Sequence, residues 1–354
     1  MSMPTDNTDL QPQPHETGGP PAELPPVEPP TAGFILQLFV LPAVIVAVVI
    51  VVWLLFGVLA SGERDPMEYV ETIRSGNENR RWRAAHELAS LISNSESLGR
   101  DPALLGKLTD LLDQELSKDG DARLKVYLAV ALGVFQTLDA SPSSGHPVDP
   151  VATLTHALDA KQPAEVRRAA AESLAKQAAR LDGKLENAEA ERALAEASEA
   201  PEPELRKRAT FALGFFKGND VDEWLRKRVH DEDREVRYNA ATALGRRGDP
   251  AALPIFREML SSDLLNQVIT LENPEEKQSQ IETIEVAALR SLQTSVQRGR
   301  PTLGQLLRSE VQALASSPLV SVRMEAEAVL KSLPASLAPA STETPAPKAT
   351  PATP

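Results

Sequence analysis

From Pro66 to Leu333 apolar residues recur at i, i+3, i+4 and i+7, the spacing that places them on one face of a helix, with polar residues between. Leu104, Leu108, Leu111 and Leu112 form one such stripe. Val221, Trp224, Leu225 and Val229 form another, and Leu303, Leu306, Leu307, Val311 and Leu314 a third. No stretch alternates with the period of a strand, so the pattern predicts an all-α body. Behind each stripe comes a second helix of different character, rich in alanine and glycine. Counted from Arg237, Ala stands at +3, +4 and +6, Leu at +7 and Gly at +8. The same template starts at Arg81, Lys125, Arg167, Arg206 and Arg323, with a weak copy at Glu282, at intervals of 31 to 45 residues. A period in that range, with helical spacing inside it, predicts a right-handed-type α-solenoid of about seven helix pairs.

The boundaries are written into the same residues. Asp-Pro pairs at 65–66, 101–102, 149–150 and 249–250 predict helix starts, because Asp accepts the unpaired amide hydrogens and Pro at the first helical position gives up no bond. Asn273-Pro274 and Ser317-Pro318 should open second helices in the same way. Gly76, Gly183, Gly218, Gly248 and Gly299 stand where helices should stop. Small side chains on the second helices let neighbouring backbones approach, so that pairs too small to bury a core alone share a continuous one.

Ahead of the repeats, residues 34–60 form an uncharged apolar run, FILQLFVLPAVIVAVVIVVWLLFGVLA, interrupted only by Pro42. About 20 apolar residues cross a bilayer at 1.5 Å each, so the run predicts a single-pass transmembrane helix. It is too long for a signal peptide and has no basic flank before it. Arg64 and Arg74 follow the run and no basic residue precedes it. The positive-inside rule therefore predicts a cytoplasmic C-terminal domain. Residues 1–33, with nine prolines and five acids but no Lys or Arg, and residues 336–354, rich in Pro, Ala and Thr, are expected to be disordered tails. The solenoid is expected to occupy 61–335.

The segment Asp231-Glu232-Asp233-Arg234-Glu235-Val236-Arg237, followed by AATALG, resembles a HEAT repeat of the short kind found in bacterial phycobilisome-lyase-like (E–Z type) sequences. The resemblance is strong from about 200 to 255 and weak at 275–295. It implies an armadillo-like helical scaffold and a bacterial source. It also raises two chemistries. A phycobilin lyase needs a bilin pocket, and no residues identify one. A HEAT enzyme similar to deoxyhypusine hydroxylase binds iron through several His-Glu pairs, whereas this chain has the single pair His86-Glu87.

Composition narrows the chemistry further. The chain has 354 residues, no cysteine and a net charge of −13, which removes disulfides, thiolate metal sites and Cys nucleophiles and disfavours nucleic acid as a partner. The five histidines (His15, His86, His146, His156 and His230) include no HExxH spacing, and no GxSxG, P-loop or GxGxxG occurs. The template cations Arg81, Lys125, Arg167, Arg206, Arg237 and Arg323 should line up along one layer. They read either as a structural ladder paired with acids of the preceding turn, such as Asp119, Asp121, Glu165, Glu204, Asp231 and Asp233, or as a basic stripe for an acidic partner. Between Leu260 and Glu285 the template slips. Leu264, Leu265, Val268, Ile269 and Leu271 form an apolar insertion that is a candidate partner-binding element. Phe211, Phe215, Phe216 and Trp224 are expected in the core. The sequence thus predicts a membrane-anchored, non-catalytic HEAT-repeat scaffold for another protein, with no catalytic residues, cofactor or metal. The alternatives are a pigment- or metal-binding HEAT enzyme of lyase or hydroxylase type and a self-associating structural envelope protein.

Overall fold

A computed structural model describes residues 32–60, 65–182 and 184–334. The expected disordered tails, except for Ala32 and Gly33, which open the first helix, lie outside the described residues, as do the helix stop at Gly183 and His15. The chain divides into two units between Glu63 and Arg64.

Among its described residues the first unit holds one helix, α1 (Ala32–Ala60), of 29 residues with Pro42 inside it. Its segment Leu36–Leu54 has a mean hydropathy of 2.8 and none of its residues is buried. By length and composition α1 can cross a membrane.

The described part of the second unit is helical apart from its linkers and one isolated bridge between Ser143 and His146. It begins with α2 (Pro66–Ser75), α3 (Glu78–Asn94), the single turn α4 (Glu96–Gly99), α5 (Pro102–Leu116), α6 (Ala122–Val134), α7 (Pro150–His156) and α8 (Ala164–Arg180). It continues with α9 (Ala188–Ala197), α10 (Pro203–Leu213), α11 (Val221–Arg228), α12 (Arg234–Arg246), α13 (Leu253–Met259) and α14 (Ser262–Val268). The last elements are α15 (Pro274–Gln297), α16 (Thr302–Leu306), α17 (Arg308–Leu314) and α18 (Val320–Ser332). Seven antiparallel-type pairs result: α2/α3, α5/α6, α7/α8, α9/α10, α11/α12, α13/α15 and α17/α18. The second helices α3, α6, α8, α10, α12, α15 and α18 pack each on the next as one layer, and α2, α5, α7, α9 and α11 form the other. The core is one contiguous cluster between the layers, running from Val70 to Leu333. This is an all-α solenoid.

Local chemistry explains where the helices start. Asp65, Asp101, Asp149 and Asp249 each accept backbone N–H bonds from residues two or three further on, with Pro at the first position. After Asp249 the turn is a 3-10 turn, Pro250–Ala252, that leads into α13. Asn273 caps α15 in the same manner. Ser317-Pro318 differs: α18 begins at Val320 without a side-chain cap, and Ser317 Oγ takes the Leu319 N–H in the linker.

Glycine is required at two positions in particular. A Cβ added at Gly133 would lie 2.9 Å from Ser173 Cα, where α6 and α8 meet almost backbone to backbone, and Ser173 Oγ donates to the Ala129 carbonyl across that contact. Gly248, just past α12, has φ +69°, a conformation that side chains with a Cβ rarely adopt. Two expectations shift in detail. The stripe from Leu303 to Leu314 is divided at Leu307 into α16 and α17, which leaves Leu306 exposed. The sixth second helix, α15, is 24 residues long, against 11 to 17 for its counterparts.

Candidate docking surface

The six template cations occupy one structural position. Arg81, Lys125, Arg167, Arg206, Arg237 and Arg323 are each the fourth residue of α3, α6, α8, α10, α12 and α18. Each donates to a backbone carbonyl in the segment where the first helix of its own pair ends. Arg81 Nε reaches Ile73 O at 2.6 Å, Lys125 Nζ reaches Lys118 O at 2.8 Å and Arg167 Nε reaches Leu158 O at 3.0 Å. Arg206 Nη1 takes Ala200 O and Pro201 O, Arg237 Nη1 takes Asp231 O and Glu232 O, and Arg323 Nη1 takes Ser317 O. Only Ile73 O belongs to the last turn of its helix; the other carbonyls lie two to four residues beyond a helix end, in the inter-helix linker, where the cation supplies the partner that backbone acceptor needs.

This corrects the pairing read from sequence. Asp121 and Asp233 are N-caps, bonded to their own helix starts, and Glu204 pairs with Lys207. Carboxylates that do meet the ladder come from a later segment: Glu115 lies 2.7 Å from Arg81, and Asp231 and Glu232 lie 3.1 and 2.9 Å from Arg206. Burial would weaken the charge on Arg206, but its bonds to Asp231 outweigh that and hold the guanidinium above its ordinary value. Burial likewise pushes Glu115 up, and hydrogen bonds from Arg81 and Lys118 bring it below its usual value.

The ladder member of the sixth pair stands elsewhere than the alanine register indicates. The fourth residue of α15 is Lys277, and its Nζ donates to Asn266 O at 2.7 Å. Glu282, the position the template indicated, instead accepts from Ser321 Oγ of α18. The signal was available, since Asn273-Pro274 fixes the helix start from which Lys277 counts.

The insertion divides by side. Leu265 and Ile269 are buried, whereas Leu264, Val268 and Leu271 are each more than 40% exposed. Leu265 and Ile269 therefore belong to the core and present nothing to a partner. The insertion is fastened at both ends, by Ser262 Oγ to Glu285 and by Arg234 Nη1 to Val268 O at 2.6 Å. Of the aromatic group, Phe216 is fully buried, Phe215 and Trp224 pack partly against the core, and Phe211 is 42% exposed, edge-on to Phe215. His86 is exposed against Tyr127, and His156 faces Asp113 at 3.6 Å. Among the described residues no group of three or more His, Asp or Glu is arranged to hold a metal. Sequence reasoning also passed over a second set of cations, Arg180, Arg246 and Arg247, at the far ends of the second helices. The Arg246-Arg247 pair directly behind AATALG was the available signal.

Stacked helix pairs with side chains spent on their own joints define a repeat scaffold. A family model described as HEAT repeats matches residues 190–272 of the chain. Solved structures similar to it include a designed armadillo repeat protein (17% identity, 76% of this chain and 100% of that one, TM-score 0.41). Another is an engineered protein (20% identity, 78% and 69%, TM-score 0.39). A third is human deoxyhypusine hydroxylase in complex with glycerol (19% identity, 75% and 95%, TM-score 0.27). No curated protein sequence matches the chain.

Proposed function

We propose that this chain is a single-pass membrane protein whose HEAT-type solenoid, of the short-repeat kind, serves as a non-catalytic docking scaffold for another protein. In this reading residues 34–60 anchor it, 61–335 form the scaffold on the cytoplasmic side, and 1–33 and 336–354 are solvated tails. The observation that carries the proposal is Leu36–Leu54, a wholly unburied apolar helix, in the same chain as a repeat body built for surface rather than for an enclosed site. The ladder cations are engaged in holding pairs together, which favours a structural ladder over a basic stripe. On the insertion, Leu264, Val268 and Leu271 are the residues we assign to the partner.

The test uses the full chain in native membranes. Photo-crosslinkers at Leu264 and Val268 should capture one reproducible protein, and the capture should vanish with Leu264→Asp. Absence of any reproducible adduct would sink the docking role. Deletion of 34–60 should move the protein out of the membrane fraction, and retention there would remove the anchor. Because the chain lacks cysteine, Lys161→Cys gives one exposed label site. Its modification by an impermeant maleimide only after cell lysis is the expected result, and modification in intact cells would reverse the orientation.

A further inference from the structure

Where α10, α12 and α15 end, two adjoining clefts of about 270 and 450 Å³ share Asp182, Lys217, Arg247 and Arg298. Arg246 lines the first and Arg300 the second, so five cations face two carboxylates, Asp182 and Asp222, in a chain whose net charge is −13. Helix C-termini ordinarily repel anions. Here several carbonyls at or just past the ends of α8, α10 and α12 are taken by the cations themselves: Lys217 Nζ holds Asp182 O at 2.8 Å, Arg246 Nη2 holds Gly214 O at 3.2 Å, and Arg247 Nη2 holds Phe216 O at 2.5 Å. Arg300 Nη1 holds Arg247 O at 2.8 Å. At those carbonyls the charge facing the clefts is that of the cations.

The neutralisation is incomplete. Asp222 is committed to Arg247, and Asp182 lies 3.9 Å from Arg298 with most of its own surface in solvent. Glu191, nearby, is turned to the Gly218 N–H, and burial pushes its carboxyl up. Arg246 is half-buried against the Phe215 ring, 5.3 Å from its centroid, and among the described residues no carboxylate pairs with it. Burial, with Arg247 and Arg298 close by, lowers this guanidinium to about 10, the mark of a cation short of counter-charge. A guanidinium carries five N–H donors, and the carbonyls occupy few of them.

We infer that this cleft binds a phosphoryl dianion, held by Arg246, Arg247 and Arg298, with exposed Lys217 and Arg300 at its mouth. A single carboxylate satisfies one guanidinium fork, whereas a phosphoryl group offers three terminal oxygens to donors converging from α12 and the end of α15. The inference is independent of the docking partner.

The experiment is calorimetric titration of the full chain in detergent micelles at low ionic strength. Orthophosphate and O-phospho-L-serine are the two probes, with sodium chloride of equal ionic strength as the control. Binding of orthophosphate alone identifies a small-anion site, and binding of phosphoserine as well identifies a phosphoryl group carried on a larger molecule. Either supports the site. Arg298→Gln removes an exposed cation and should weaken binding about tenfold, the size of one charge-assisted hydrogen bond. Asp182→Asn keeps a residue that tolerates its positive φ of 49°, removes a competing carboxylate and should tighten binding. Arg168→Gln, an exposed change of equal charge outside the cleft, should change nothing. Failure of both probes to bind, or binding indifferent to Arg298→Gln and Asp182→Asn, overturns the proposal.

Discussion

Arg206 and Asp231 each expose only 6% of their side chains, so their ion pair is among the least solvated in the molecule. Removing Arg206 leaves the buried Asp231 carboxylate with only the longer contact to Arg228, at 3.6 Å, as its counter-charge. Arg206→Ala should therefore cost about 3–5 kcal/mol in chemical denaturation, with Arg206→Lys recovering part of it. A loss below about 1 kcal/mol would place the pair in the class of solvent-screened surface bridges. Glu285 presents the opposite case. It is fully buried, Ser262 Oγ meets one of its oxygens, and the other has no partner among the described residues. Burial and the neighbouring Glu282 raise its carboxyl above the ordinary value of 4.5, despite the bond from Ser262. A carboxyl raised on folding binds its proton more tightly in the native state. It therefore imposes no penalty below pH 4.5 and an increasing one as pH rises through its native value. Glu285→Gln should raise the melting temperature at pH 7, and the gain should fade in acid. A gain that persists unchanged below pH 4 would mean that packing, not charge, is responsible.

At the scale of elements, α14 separates core from surface within one turn. Leu265→Ala should cost about 2–5 kcal/mol as a buried truncation, whereas Leu264→Ala should leave stability within about 0.5 kcal/mol. Equal effects would place the insertion elsewhere than on α13 and α15. The seven pairs were legible in the sequence because two independent signals agree: the Asp-Pro and Asn-Pro caps fix helix starts, and the alanine template fixes which face packs. Where the signals disagreed, between Asn273 and Glu282, the template misled. Extra turns at the front of α15 displace the alanines but not the cation counted from the cap. The partners of the ladder were not legible at all. Spacing shows which acids are near in the chain, yet a backbone carbonyl in or beside an inter-helix linker carries no sequence label, and those carbonyls are what the cations hold. The cationic cleft was hidden for a related reason. Lys217, Arg246, Arg247, Arg298 and Arg300 come from three different repeats, so only stacking brings them to one place.

For the molecule as a whole, stability in a repeat stack is a sum of pairs and of interfaces between neighbours. The sixth pair combines the buried carboxyl of Glu285 with a first helix of only seven residues. Hydrogen exchange should accordingly be faster in α13–α15 than in α6–α10, where Gly133, Ser173 and Arg206 mark close and well-bonded joints. Uniform protection across the solenoid would contradict this ranking. The ladder adds a mechanical consequence. In six of the seven pairs the cation reaches back five to nine residues across the inter-helix linker, and in the remaining one, the sixth, Lys277 reaches back eleven. A pull applied along the stack loads these clasps in series, as it would a chain of buckled links. Every clasp in such a series bears the same tension, and the loop it encloses sets how much chain it frees on opening, so the sixth pair releases the most length per clasp.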